Sequence, residues 1–168
     1  MFYFVLIGLL LNPAAQTDLG WQTRITNADE DGEPLTISGF VYAADGSTPV
    51  VGARVYVYHT DNEGYYSPGG RDEDKRRLNG TMITDSQGRF RFTTIKPAPY
   101  PTGGIPAHIH MQLRVGNGSM RHFELQFEGD PNLSASQVKT AKALGDFSPI
   151  QALRREGQML HGTWTLKL

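Results

Sequence analysis

The segment Pro106-Ala107-His108-Ile109-His110 carries the strongest chemical signal in this chain. Successive side chains on a strand alternate faces, so His108 and His110 share one face, roughly 7 Å apart along the backbone. Two imidazoles placed in this way can converge on one ion, or they can decorate a solvated strand face. Ile109, Met111, Leu113 and Val115 supply the opposite, apolar face. Upstream, Tyr100 sits in the proline-stiffened stretch Lys96-Pro97-Ala98-Pro99-Tyr100-Pro101, which must turn back toward the histidine strand. A tyrosine there is either a core anchor or a phenol reaching the same pocket. Imidazole suits iron, and tyrosinate is a known iron ligand. The chain has no cysteine, so disulfides, cysteine-held zinc, iron–sulfur clusters and thiol catalysis are excluded.

These residues need a frame of short strands. Runs with period-two alternation fall at residues 35–43, 54–58, 81–84, 89–95, 108–115, 122–127 and 162–168. Turn sequences such as Asp45-Gly46, Asp85-Ser86-Gln87-Gly88 and Gly116-Asn117-Gly118 separate several of them. Residues 134–144 form the one convincing helix, with Ser134 or Ser136 as N-cap and Gly145 just past its end. The fold class expected is all-β: a β-sandwich of two mostly antiparallel sheets, with long active-site loops and one short helix near the C-terminus. Residues 61–79 are too polar for core and form a long loop of the kind that carries function. Within them, residues 71–77 are a mixed-charge run, read as a solvated loop or as a rim over the pocket. Asp61, Asp85 and Asp130 border turns, where carboxylates accept from backbone amides. His59, His122 and His161 lack ligand spacing and are expected at the surface or half-buried. Trp21 and Trp164 are expected to pack the chain ends onto the sandwich.

The 168 residues suit one domain. With 16 Lys and Arg against 17 Asp and Glu, net charge −1, nothing favours a nucleic-acid partner. No charge precedes Asp18, and the apolar run at residues 2–11 is too short to span a bilayer as a helix. It fits the h-region of a secretory signal. The expectation is a signal peptide at residues 1–15, a domain at 16–168, and a secreted or periplasmic protein without a membrane anchor.

Several segments resemble the intradiol ring-cleavage dioxygenases, the family of protocatechuate 3,4-dioxygenase and catechol 1,2-dioxygenase. They include Pro49-Val50-Val51-Gly52-Ala53-Arg54-Val55, Gly64-Tyr65-Tyr66-Ser67 and Thr94-Ile95-Lys96-Pro97 followed by Tyr100-Pro101. Gly39-Phe40-Val41, Tyr58-His59-Thr60-Asp61, Thr84-Asp85-Ser86-Gln87-Gly88-Arg89-Phe90, Pro106-Ala107-His108-Ile109-His110 and Phe127-Glu128-Gly129-Asp130-Pro131 complete the set. The resemblance implies one non-haem ferric ion per chain, held by Tyr66, Tyr100, His108 and His110. Tyr66 is preferred over Tyr65 because it is the tyrosine before serine in the family's Gly-x-Tyr-Ser pattern. Two phenolates and a hydroxide would cancel the charge of ferric iron, so such a cluster can sit in a dry pocket. The implied partners are a small catechol and O2, with possible homo-oligomerisation. The implied reaction inserts O2 into the ring to give a muconate-type diacid, with Tyr100 as the catalytic residue that receives a substrate proton. The pattern departs from the family at Ile105, where its catabolic members carry arginine. Arg54, Arg71, Arg76, Arg77 and Arg114 are the candidates to replace that cation. The alternative is a non-catalytic, transthyretin-like metal- or catechol-binding sandwich with little turnover.

Overall fold

A computed structural model describes residues 19–68 and 75–168. The expected signal segment and most of the mixed-charge run lie outside the described residues. Among the described residues, ten strands form two five-stranded sheets. One sheet holds β1 (Gln22–Arg24), β2 (Pro34–Tyr42), β5 (Arg89–Ile95), β9 (Arg154–Glu156) and β10 (Met159–Lys167), in the order β1-β5-β2-β10-β9. The other holds β3 (Arg54–His59), β4 (Leu78–Ile83), β6 (His108–Arg114), β7 (Arg121–Phe127) and β8 (Ile150–Gln151), in the order β4-β3-β6-β7-β8. The second sheet is mostly antiparallel, as expected, with only β8 parallel to β7, but the first is mixed: β1 runs parallel to β5, and β10 runs parallel to β2 from Leu160↔Leu35 to Lys167↔Tyr42.

Alternation along the strands builds one core between the sheets. Leu35, Ile37, Val41, Phe90, Phe92, Leu160, Trp164 and Leu166 face inward from the first sheet. Val55, Val57, Met82, Ile109, Met111, Leu113, Leu125 and Phe127 meet them from the second. The Trp164 ring is 1 % exposed and packs edge-on against Phe90. Trp21, half-buried near the other end of the chain, lies beneath the Arg89 guanidinium. The helix α1 (Ala135–Lys142) carries a capping box, with Ser134 and Gln137 satisfying each other's backbone amides.

The parity that buries Ile109 and Met111 turns His108 and His110 to the outer face of the second sheet. Register then sets their neighbours. Tyr58 on β3, His110 on β6 and Glu124 on β7 stand in one cross-strand row. His59 has the parity of Val55 and Val57 and is 1 % exposed, which corrects the expectation of a surface or half-buried residue. Its Nδ1 donates to the Thr60 carbonyl at 2.6 Å, leaving Nε2 to accept from the Thr94 hydroxyl at 2.7 Å.

Candidate metal centre

The four sequence-selected side chains arrive from three segments, the two histidines on β6 and each tyrosine on a loop of its own. β3 ends at His59, and the Asp61 carboxylate accepts from the amides of Glu63 and Tyr65, both at 3.0 Å. The Asp61 amide donates to the Tyr65 carbonyl at 2.8 Å, closing a tight turn that returns Tyr66 over the sheet beside Tyr58. Tyr66 is 2 % exposed and its hydroxyl joins the cluster described below, whereas Tyr65 supplies backbone groups to the turn. The segment after β5 is tied to this turn. Ala98 N–H donates to the Asp61 carbonyl at 2.9 Å, and Thr60 donates its hydroxyl to the Ala98 carbonyl at 2.8 Å.

Gly64 sits between the two segments with φ +87°, and a Cβ there would lie 2.2 Å from the Pro99 carbonyl oxygen. Only glycine permits both that conformation and that approach. Tyr100 follows directly, its ring edge-on to His108 with centroids 5.2 Å apart.

The two histidines are fixed from outside. His108 Nδ1 lies 2.7 Å from the Pro106 carbonyl, an acceptor only, so Nδ1 carries the proton and Nε2 presents its electron pair. Asp130 holds this entry to β6 by accepting from Ala107 N–H at 2.9 Å. The ring of His110 stacks on Tyr58, centroids 4.6 Å apart and 18° from parallel. The Arg76 guanidinium covers the far side of Tyr58 at 3.7 Å.

Four electron-pair donors therefore converge. His108 Nε2 lies 2.9 Å from His110 Nε2, which lies 2.9 Å from the Tyr66 hydroxyl, itself 2.6 Å from the Tyr100 hydroxyl. Bonds of about 2.0–2.2 Å meeting near right angles would set neighbouring donors on one ion about 3 Å apart, so this spacing fits a metal. The donor set is two imidazoles and two phenols, which suits a hard, high-valent iron. Burial pulls the His110 pKa down from 6.5 to about 4, helped by the neighbouring His108 and opposed by Glu124. The ring is thus neutral at pH 7, with its electron pair available.

Glu124 also comes close, and its carboxylate can be grouped with the two histidines within 4.8 Å. It faces His110 Nδ1, at 3.4 Å, whereas the cluster is built on Nε2. One ion cannot take both nitrogens of one imidazole, so Glu124 stands outside the donor set. A hollow of about 440 Å3 opens beside His110, lined by Tyr58, His122, Glu124, Gln126 and Pro149. A larger one, about 790 Å3, is lined by Phe40, Tyr42 and Phe147 among others and shares no residue with the centre. Proximity to the donors outweighs size, and we associate the smaller hollow with the centre.

Ile105 is 44 % exposed and brings no charge to the site. Among the candidate cations within the described residues, Arg76 is the one at this stack. Arg77 is held by Glu30 at 2.6 and 2.8 Å, Arg54 and Arg114 pair at the far end of β3 and β6, and Arg71 lies outside the described residues. The sequence reading assigned neither Tyr58 nor Glu124 a role at the site. Period-two parity places both on the polar face, but their meeting at His110 depends on cross-strand register.

The fold and this two-histidine, two-tyrosine cluster define a class, and comparison with known proteins gives the same one. The family model described as Dioxygenase matches residues 10–146. The chain belongs to the intradiol dioxygenase family. It is 32% identical over 162 residues to chlorocatechol 1,2-dioxygenase of Rhodococcus opacus, covering 83% of this chain and 59% of that one. It is 36% identical over 130 residues to the protocatechuate 3,4-dioxygenase beta chain of Burkholderia cepacia, covering 70% and 54% respectively. The chain thus spans little more than half the length of these relatives. Among solved structures, the dioxygenase domain of a dioxygenase–carbohydrate-binding fusion from Streptomyces sp. SirexAA-E superposes with TM-score 0.69 at 26% identity. That match covers 95% of this chain and 94% of that one.

Proposed function

We propose that this protein is an iron(III)-dependent intradiol dioxygenase that opens the ring of a small catechol between its two hydroxylated carbons. The observation that carries this reading is the convergence of His108 Nε2, His110 Nε2 and the Tyr66 and Tyr100 hydroxyls at 2.6–2.9 Å. His108, His110, Tyr66 and Tyr100 would hold the ion, whose Lewis acidity would draw electron density from the catechol and make it reactive toward O2.

The chain's own groups divide the remaining work. Tyr66, almost fully buried, keeps water from the inner side of the cluster. Tyr100 is half-buried, and its hydroxyl oxygen is the group placed to receive a proton from an incoming catechol hydroxyl. The hollow lined by Tyr58, His122, Glu124 and Gln126 is the space for the substrate ring. Arg76, over Tyr58, contributes positive potential where the substrate's negative charge develops. The apolar run at residues 2–11 supports export as part of the same proposal.

A second reading, a binder with little turnover, is favoured by Ile105 alone. Loading the protein with ferric iron tests both. A visible phenolate-to-iron absorption band and O2 uptake with catechol, protocatechuate or hydroxyquinol, yielding a muconate-type product, are expected. Colour without O2 uptake favours the binder, and a colourless protein sinks both readings.

A further inference from the structure

Both histidines present Nε2 to the cluster, yet their outer nitrogens meet different partners. His108 Nδ1 faces a neutral main-chain carbonyl at 2.7 Å, whereas His110 Nδ1 faces the Glu124 carboxylate at 3.4 Å. That second contact is longer than a formed hydrogen bond. Two observations nevertheless make it specific. Glu124 is the direct cross-strand partner of His110, so register alone brings the two side chains together. The stack of His110 on Tyr58, backed by Arg76, fixes the ring plane, so Nδ1 is held toward β7. Glu124 is more than half exposed and has the rotamer freedom to close the gap.

We infer that Glu124 is a positioning residue that takes the His110 Nδ1 proton in a hydrogen bond and so raises the donor strength of Nε2 toward the metal. The inference rests on the function proposed above. A carboxylate behind a ligating imidazole locks its tautomer and makes it more basic, and such partners are worth 10–100-fold in metal affinity. A charged partner strengthens the bond beyond what a neutral carbonyl gives. The centre thus has one ordinary and one enriched histidine donor. An enriched donor makes ferric iron less electron-poor and moves phenolate-to-iron absorption to higher energy.

The test compares wild type with Glu124→Leu and Glu124→Gln, reading ferric affinity by chelator competition and the position of the visible band. Circular dichroism verifies the fold. Glu124→Leu should bind iron 10–100-fold more weakly and absorb at longer wavelength. Glu124→Gln keeps an oxygen acceptor and should recover most of the affinity with a smaller band shift. Unchanged affinity and band in Glu124→Leu would overturn the inference while leaving the dioxygenase reading intact. So would a Gln variant as impaired as the Leu variant, because the acceptor would then be irrelevant. A wild-type protein with neither ferric binding nor band fails the function itself.

Discussion

At the residue scale, the more exposed of the two tyrosines makes the first prediction. Tyr66 is 2 % exposed and Tyr100 half-buried, with hydroxyls 2.6 Å apart. Tyr100→Phe should lower turnover at least 100-fold, the usual scale for a proton-transfer group, and should alter the visible band while the fold survives. An unchanged spectrum would remove Tyr100 from the donor set. His59 makes a pH prediction. Burial holds its imidazole neutral, pulling the pKa from 6.5 to about 4. Well above pH 6.5 neither folded nor unfolded chain is protonated there, so its titration gives stability no pH dependence. As pH falls from 6.5 toward 4, the unfolded chain takes up a proton that the folded one refuses. Stability should therefore fall, by up to about 3 kcal/mol. Urea titrations at pH 7 and pH 4 check this. His59→Gln should be less stable at pH 7 but lose less on acidification. The alternating run read from sequence ends at Tyr58, and the strand continues one residue further, which gives His59 the inward parity of Val55 and Val57.

At the element scale, the centre depends on two loops that meet only because Gly64 lets them. Gly64→Ala forces a Cβ to 2.2 Å from the Pro99 oxygen at φ +87°. It should cost about 1–3 kcal/mol and weaken iron binding by separating Tyr66 from Tyr100. Gly52→Ala is the control, because φ is +73° but nothing lies within 4 Å. It should cost about 1 kcal/mol and leave iron affinity unchanged; similar losses of affinity in the two variants would contradict this account. Elements with a strong period were readable from sequence, and β5 and the Ser134 cap were found where expected. β1, β8 and β9 were not, because two or three residues carry no period. The histidine pair follows from local alternation. Its contacts with Tyr58 and Glu124 do not, since cross-strand register is set by tertiary pairing.

At the scale of the whole molecule, the candidate metal centre and the hydrophobic core lie on opposite surfaces of one sheet. The inner face meets Phe90 and Trp164 across the core, and the outer face carries His108 and His110, over which two loops bring Tyr66 and Tyr100. Trp164→Ala should cost about 3–5 kcal/mol in urea denaturation. The protein that remains folded should keep wild-type iron affinity, since that ring lies in the core between the sheets and the histidines face outward. Parallel pairing of the last strand with β2 ties the chain's end to its first long strand, a closure that no local pattern announces.

A last consequence concerns heredity. Substitution can erase a side chain but not a main-chain carbonyl, so no codon change at position 106 deletes the oxygen facing His108. The orientation of His110 has no such protection, because its partner is a side chain on β7. One histidine is anchored against genetic drift, and the other is left adjustable through a single codon. Lineages or engineers retuning this centre have their simplest handle there, outside the donor set itself.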